Sequence, residues 1–236
     1  VITVDFKRVK VTPGFRILDM GCGNGRHTAA AYDLKDVIVI GADLNINDLD
    51  MAEKRLKWHD KVTEHGDGSW SFSAADILAL PFCNHSFDLV IVSEVLEHVP
   101  AHDLAVKEIL RVLKPGSNLI VSVPRFWPER ICWAISAQYH QTKGGHVRIY
   151  TCRQLERLIQ QNGALKWASH FAHALHTPFW WLKCLVGPDR KDVYLVNLYH
   201  RFLTWDLMQK PPITRLLEKL LNPILGKSIV VYFKKQ

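Results

Sequence analysis

Along the first 125 residues, short solid apolar runs alternate with stretches whose apolar positions recur every three or four residues. The runs at 16–19, 37–43, 71–75, 89–93 and 118–123 are bounded by turn residues and predict strands. Between them, residues 46–57 place Leu49, Ala52 and Leu56 on one helical face. Residues 101–113 do the same with Val106, Ile109, Leu110 and Leu113, and Lys114-Pro115-Gly116 closes that helix. Strands separated by helices need crossover connections, which predicts a mostly parallel sheet covered on both faces. Another helix opens at Thr151, where Gln154 completes a capping box. It buries Leu155, Leu158 and Ile159 and stops near Gly163. Residues 1–11 alternate charged and apolar positions and read as a further strand.

The C-terminal third breaks this rhythm. Strands are predicted at 166–171 and 228–235, and a hairpin between them would need a connection of over fifty residues, far beyond an ordinary loop. That connection contains a helix starting at Pro212, with Ile213, Leu216, Leu217, Leu220 and Leu221 in helical spacing. Its first half is crowded with Phe171, Phe179, Trp180, Trp181, Tyr194, Tyr199, Phe202 and Trp205. The predicted division is a core over 1–170, an aromatic-rich helical insertion over 171–227 that caps the substrate side, and a final edge strand over 228–236.

Composition narrows the class. With 48% apolar and 22% charged residues, 236 residues can bury a full core in one large α/β domain. No apolar stretch approaches the roughly 20 residues of a membrane-spanning helix, and no signal-peptide pattern opens the chain. Cys22, Cys83, Cys132, Cys152 and Cys184 lack CxxC spacing, which fits reduced thiols in the cytoplasm and excludes a zinc knuckle. The net charge of +7 is dispersed, with no basic run longer than Lys234-Lys235. That reads as a solvated surface and disfavours a dedicated nucleic-acid face.

The chemistry begins in "ILDMGCGNGRH" at 17–27, where Gly21, Gly23 and Gly25 follow a buried strand and precede a helix. Glycines there accept positive φ and let a ligand lie against bare backbone, at the carboxyl ends of the strands. The dinucleotide fingerprint sets its third glycine one position later, which disfavours a nicotinamide cofactor. Asp43 closes the next strand, where a carboxylate can accept both hydroxyls of a ribose. Asp76 ends the third, within reach of an adenine amino group. The fourth runs out into a polar cluster, "SFDLVIVSEVLEHV" at 86–99.

As a set, residues 19–25, Asp43, Asp76-Ile77, "SEVLEHV" and "LRVLKPGSNLIVSVP" at 110–124 resemble the class I S-adenosylmethionine (SAM)-dependent methyltransferases. The similarity covers residues 14–165 and is nearest to the small-molecule branch with the ubiquinone-biosynthesis O-methyltransferases. It implies a Rossmann-like α/β fold: a seven-stranded, mostly parallel sheet, helices on both faces and one antiparallel edge strand. It also implies SAM over the first three strand ends. Asp19, Gly21, Cys22, Gly23 and Gly25 would lie against its methionine and ribose. Asp43, with Leu44 beside it, would hold the ribose, Asp76 and Ile77 would flank the adenine, and Glu94 would line the methyl-transfer cleft. Many relatives cover the cofactor with helices ahead of the first strand, and here only about fifteen residues precede it.

Methyl transfer from a sulfonium requires alignment and, for a hydroxyl acceptor, removal of a proton. Glu97, His98 and His146 are the catalytic candidates. Some O-methyltransferases with E-x-x-E-H and a later histidine hold a divalent cation, which makes Glu94, Glu97, His98 and His146 a candidate set for Mg²⁺, Mn²⁺ or Zn²⁺. Other members carry the same residues without metal, so both readings stand. His170, His173 and His176 sit three apart, as on one helix face or a cleft lining, with no carboxylate near in sequence.

Segments 124–148 and 171–227, rich in aromatics and histidines, point to a small, partly apolar acceptor methylated at oxygen: a quinone, isoprenoid, lipid or glycolipid. The same aromatics also suit an insertion packing its own core. "TPFWWLKCLVG" at 177–187 and the leucine stripe at 213–221 point to peripheral membrane contact. The alternatives are an RNA 2′-O-methyltransferase and a non-catalytic SAM-binding module.

Overall fold

The computed structural model describes residues 1–63, 65–141, 144–190 and 192–236, with His140 in backbone only. Thr142, Lys143 and the His140 side chain, within the segment 124–148 expected to face the acceptor, therefore lie outside the described residues.

Five strands, β1 (Arg16–Met20), β2 (Ile38–Asp43), β3 (Ser69–Ala74), β4 (Phe87–Ser93) and β5 (Leu113–Pro124), run parallel. With β6 (Ala164–Ala172) and β7 (Ser228–Lys235) they form one sheet in the order β3-β2-β1-β4-β5-β7-β6. Strand order reverses between β1 and β4, which opens a crevice at the carboxyl ends of those strands. Side chains alternate between the faces. Leu18, Met20, Val90, Val92, Leu119 and Val121 join one cluster, while Ile17, Leu89, Ile91 and Ile120 join the other.

Helices α1 (Arg26–Tyr32) and α2 (Ile46–Val62) cover the second face, and α3 (His102–Val112) covers the first. Helices α4 (Phe126–Ile135) and α5 (Ala137–Gln141) follow β5. Helix α6 (Cys152–Gln160), on the α3 face, begins with the predicted Thr151–Gln154 capping box. Three more, α7 (His176–Val186), α8 (Tyr194–Gln209) and α9 (Pro212–Leu225), fill the long connection between β6 and β7.

Four expectations need correction. Residues 228–235 do form a strand, antiparallel to both neighbours, but not the edge: β7 lies between β5 and β6, and β6 is outermost. The reason is burial. Ser228–Phe233 are buried at every position, which demands a neighbour on each side, while β6 leaves Leu165 and Trp167 about half exposed.

Residues 1–11 are not a strand but extended chain with a single 3₁₀ turn at Phe6–Arg8, tethered by Thr3 N–H donating to His27 Nε2 at 3.0 Å. Lys114-Pro115-Gly116 lies inside β5, where the register against β4 shifts, rather than merely ending α3. The three histidines share no helix face: His170 is in β6, His173 in the linker at φ 66° and His176 opens α7.

Candidate active site

The glycine turn has the backbone its sequence requires: Gly21, Gly23 and Gly25 have φ of 72°, 50° and 75°. Any Cβ on Gly21 would lie 2.3 Å from Val95 Cγ2, and one on Gly25 would lie 2.9 Å from Ala52 Cβ. A Cβ on Gly23 would meet nothing within 4 Å, so this residue faces open space. Asp43 braces the turn from β2: Gly23 N–H donates to Oδ2 at 2.8 Å, and Asn45 N–H to Oδ1 at 2.9 Å.

Asp19 does not line the crevice as expected. Its carboxylate is 1% exposed and accepts from Thr28 Oγ1 at 2.6 Å, which ties β1 to α1 beneath the turn. Burial raises its pKa to about 6. Cys22 is 9% exposed with its thiol pushed up by burial, so it is a packed, unreactive thiol. Leu44 is 72% exposed beside Asp43. Asp76 is exposed and accepts from Leu78 N–H at 2.9 Å, while the Ile77 side chain is buried and only its backbone is available.

Past β4 the chain turns sharply. Glu94 takes φ 58°, an uncommon conformation for a side-chain-bearing residue and one that clusters at functional sites. Its Oε1 accepts from Ser122 Oγ at 2.9 Å. Arg148 holds the following turn by donating to Leu96 O, Val99 O and Pro100 O. Inside this turn, Glu97 is 1% exposed and neither carboxylate oxygen has a hydrogen-bond partner among the described residues. Burial, then the nearby Glu94 charge, raises its pKa well above the usual carboxylate range.

Two imidazoles face Glu97. His98 Nδ1–H donates to Gly144 O at 2.9 Å, and His146 Nδ1–H donates to Glu129 Oε1 at 2.6 Å. Those acceptors fix both tautomers and leave each Nε2 as a lone pair. The rings meet edge-on with centroids 4.8 Å apart, and burial, then His146, lowers the His98 pKa. Ligand-capable atoms of Glu97, His98 and His146 all lie within 4.8 Å of one another. Glu94 is not in that group, because its carboxylate is turned toward Ser122; the expected four-residue ligand set reduces to three.

Glu129 is the important residue that the sequence did not disclose. It is 2% exposed on α4 and accepts from His146, Trp133 and Tyr139. Burial is the largest influence and opposes its charge, but the His146 bond and charge, Lys227 and the Trp133 bond together hold its pKa below the usual range. The one signal was an acid inside the apolar run "FWPERICW". Close by, Pro128, Glu129, Cys132, Thr177, Trp180, Trp181 and Lys227 border a closed crevice with no room for a water molecule. Of the insertion's aromatics, Trp181 and Trp180 border the crevice, and Trp180 also packs with Phe179 and Tyr199 against Val196 and Leu203. A second missed acid is Glu218 of α9, which the fold brings to His173 and His176.

A methyltransferase-domain family matches residues 18–121. An O-methyltransferase of Pyrenophora dematioidea is 33% identical over 115 residues, 49% of this chain and 41% of that one. A demethylmenaquinone methyltransferase of Lactobacillus johnsonii is 38% identical over 118 residues, 48% and 46% of the two chains. The chain thus spans less than half the length of these curated relatives. Among solved structures, a SAM-dependent methyltransferase from Mesorhizobium loti superposes with a TM-score of 0.58 at 16% identity, covering 97% of this chain and 94% of that one. The cyclase SpnF superposes at 0.64 and 17% identity, covering 98% and 78%. At such identities the likeness speaks to the fold alone. Family match, glycine turn and sheet order agree: residues 18–121 match a methyltransferase domain, within a fold that is similar to that of the SAM-dependent methyltransferases.

Proposed function

We propose that the chain transfers a methyl group from SAM to a hydroxyl of a small, partly apolar acceptor, with Glu97, His98 and His146 at the reacting oxygen. The observation that carries this is the Glu97 carboxylate, buried, unpartnered and facing two imidazoles with available lone pairs. A structural acid would be hydrogen-bonded, since an orphaned buried carboxylate is costly.

SAM, when bound, supplies a methyl group on a sulfonium with a good leaving group. The protein's own part is placement and proton management. The bare backbone at Gly23 and the Asp43 carboxylate receive the ribose end, Asp76 and the Ile77 backbone receive the adenine, and exposed Leu44 covers it. Asp43→Ala should weaken SAM binding by about 1.5–3 kcal/mol, the worth of charge-assisted hydrogen bonds; an unchanged calorimetric Kd would remove the ribose assignment.

The donor set of two imidazoles and one carboxylate suits Zn²⁺ or Mn²⁺, with Mg²⁺ less well matched. A cation there would lower the pKa of an acceptor hydroxyl and neutralise Glu97. Exhaustive chelation should abolish methyl transfer, and add-back should restore it. Full activity after chelation would leave a histidine Nε2 as the general base and eliminate the cation.

Relatives named for demethylmenaquinone and for O-methylation, together with the aromatic side chains of Trp180 and Trp181 beside Glu129, support a flat acceptor such as a quinol, or an isoprenoid or lipid-linked molecule. The fold alone also occurs in a cyclase, so detection of methylated product is the decisive readout.

A further inference from the structure

Helix α9 is built inside out. Its polar side faces the protein: Thr214 is 3% exposed, Arg215 pairs with Asp206 and Glu218, and Asn222 Oδ1 accepts from Ala174 N–H at 2.9 Å. Its apolar side faces out. Ile213, Leu216, Leu220 and Ile224, at i, i+3, i+7 and i+11, are 57–65% exposed. Helix α8 extends the surface. Val196 and Leu203 pack inward, while Leu195, Leu198, Phe202 and Trp205 remain exposed along one stripe. An open groove of about 720 Å³ runs along that stripe, lined almost wholly by apolar side chains. Surface helices normally bury the apolar face, and a contiguous exposed patch of this kind marks an interaction site.

The charges say what it meets. On α8, α9 and their joining turn the two acids, Asp206 and Glu218, are both engaged by Arg215. Arg201, Lys210 and Lys219 are exposed and carry no ion pair among the described residues. Ahead of α8, Asp192 pairs with Arg190, while Asp189 accepts from the neutral Gln138 amide and keeps its charge. Among the described residues, every uncompensated charge on α8, α9 and their joining turn is therefore basic. A second copy docking through the same face would bring these cations together with no acid to meet them. An anionic lipid surface offers both what the stripe lacks and what the rim attracts, and Trp205 and Phe202 are the side chains suited to the headgroup boundary.

We infer that the outward face of α8 and α9 docks on an anionic bilayer, with no segment crossing it. Among the described residues no helix is long and apolar enough to cross a membrane. Helix α7 packs on α8 and carries Trp180 and Trp181 of the crevice, so docking would link the acceptor side of the molecule to the lipid phase.

The full chain, without SAM, should co-sediment with phosphatidylcholine vesicles doped with phosphatidylglycerol, and far less with phosphatidylcholine alone. Replacing Arg201, Lys210 and Lys219 together by glutamine should lower partitioning on the order of 100-fold, at roughly fivefold per basic side chain. Leu216→Gln with Leu220→Gln should lower it about tenfold or more at both lipid compositions. These positions are exposed, so melting by circular dichroism should be unchanged. Absence of binding to the anionic vesicles overturns the inference. So does a dimer, seen by light scattering, that the two leucine replacements dissolve. Methyl transfer is not read in this experiment, so its outcome is separate from the fate of the proposed activity.

Discussion

Replacing His146 by alanine is expected to cut turnover about 100- to 1,000-fold, the range of a lost acid–base or positioning group, while leaving SAM affinity unchanged. The ring is held at Nδ1 by Glu129, meets His98 edge-on and lies within reach of the unpartnered Glu97. None of these contacts involves the glycine turn or Asp43. The experiment needs an acceptor that the parent protein methylates, found by screening phenols and quinols with methyl-labelled SAM. Turnover kept within a few-fold would make His146 structural. Equal loss of SAM binding and turnover would point to collapse of the crevice instead.

The second large effect concerns stability and is read against pH. His27 is 8% exposed, and its Nε2 accepts the Thr3 N–H. Burial, then the Arg26 charge, lowers its pKa from 6.5 to about 4. Between those values the unfolded chain binds the proton and the folded chain does not, so stability falls as pH drops from 6.5 toward 4. That span is worth about 3 kcal/mol. Asp19 acts in the opposite sense. Its pKa is raised to about 6, so its contribution is complete below 3.8 and is lost as pH rises through 6. The His27 part is isolated by comparison with His27→Gln, which keeps an acceptor for Thr3. The difference in unfolding free energy between parent and variant should change by about 3 kcal/mol from pH 7 to pH 4. A constant difference would refute the assignment.

Much of the core was legible because its signals are local. Apolar runs at β1, β2, β4 and β5, helical spacing in α3 and the capping box of α6 each lie within a dozen residues, and each element formed where predicted. The glycine turn was legible because positive φ has few solutions. What failed depended on distant partners. Nothing within "SIVVYFKK" says whether one neighbour or two will flank it; only its burial on every residue through Phe233 does. The extended residues before β1 alternate as a strand would, yet no sheet edge receives them, and they tether to His27 instead. Glu129 and Glu218 sit far in sequence from the histidines they serve. The stripe of α9 was visible as a pattern, but a pattern does not say which side of a helix turns toward the protein. The polar anchors Asp206 and Asn222's partner Ala174, on other segments, decide that.

Because β7 is, among the described residues, the sole link between β6 and the rest of the sheet, β6 has no strand to pair with while the ribosome is still adding residues 173–227. At typical synthesis speeds of roughly 5–20 residues per second, that stretch occupies about 3–11 s. During it the open flank of β5 and the half-built helices between β6 and β7 are both exposed to whatever is nearby. Chaperone capture or early lipid contact would fall in that interval, and the last strand to emerge would act as the key that locks two separately waiting pieces together.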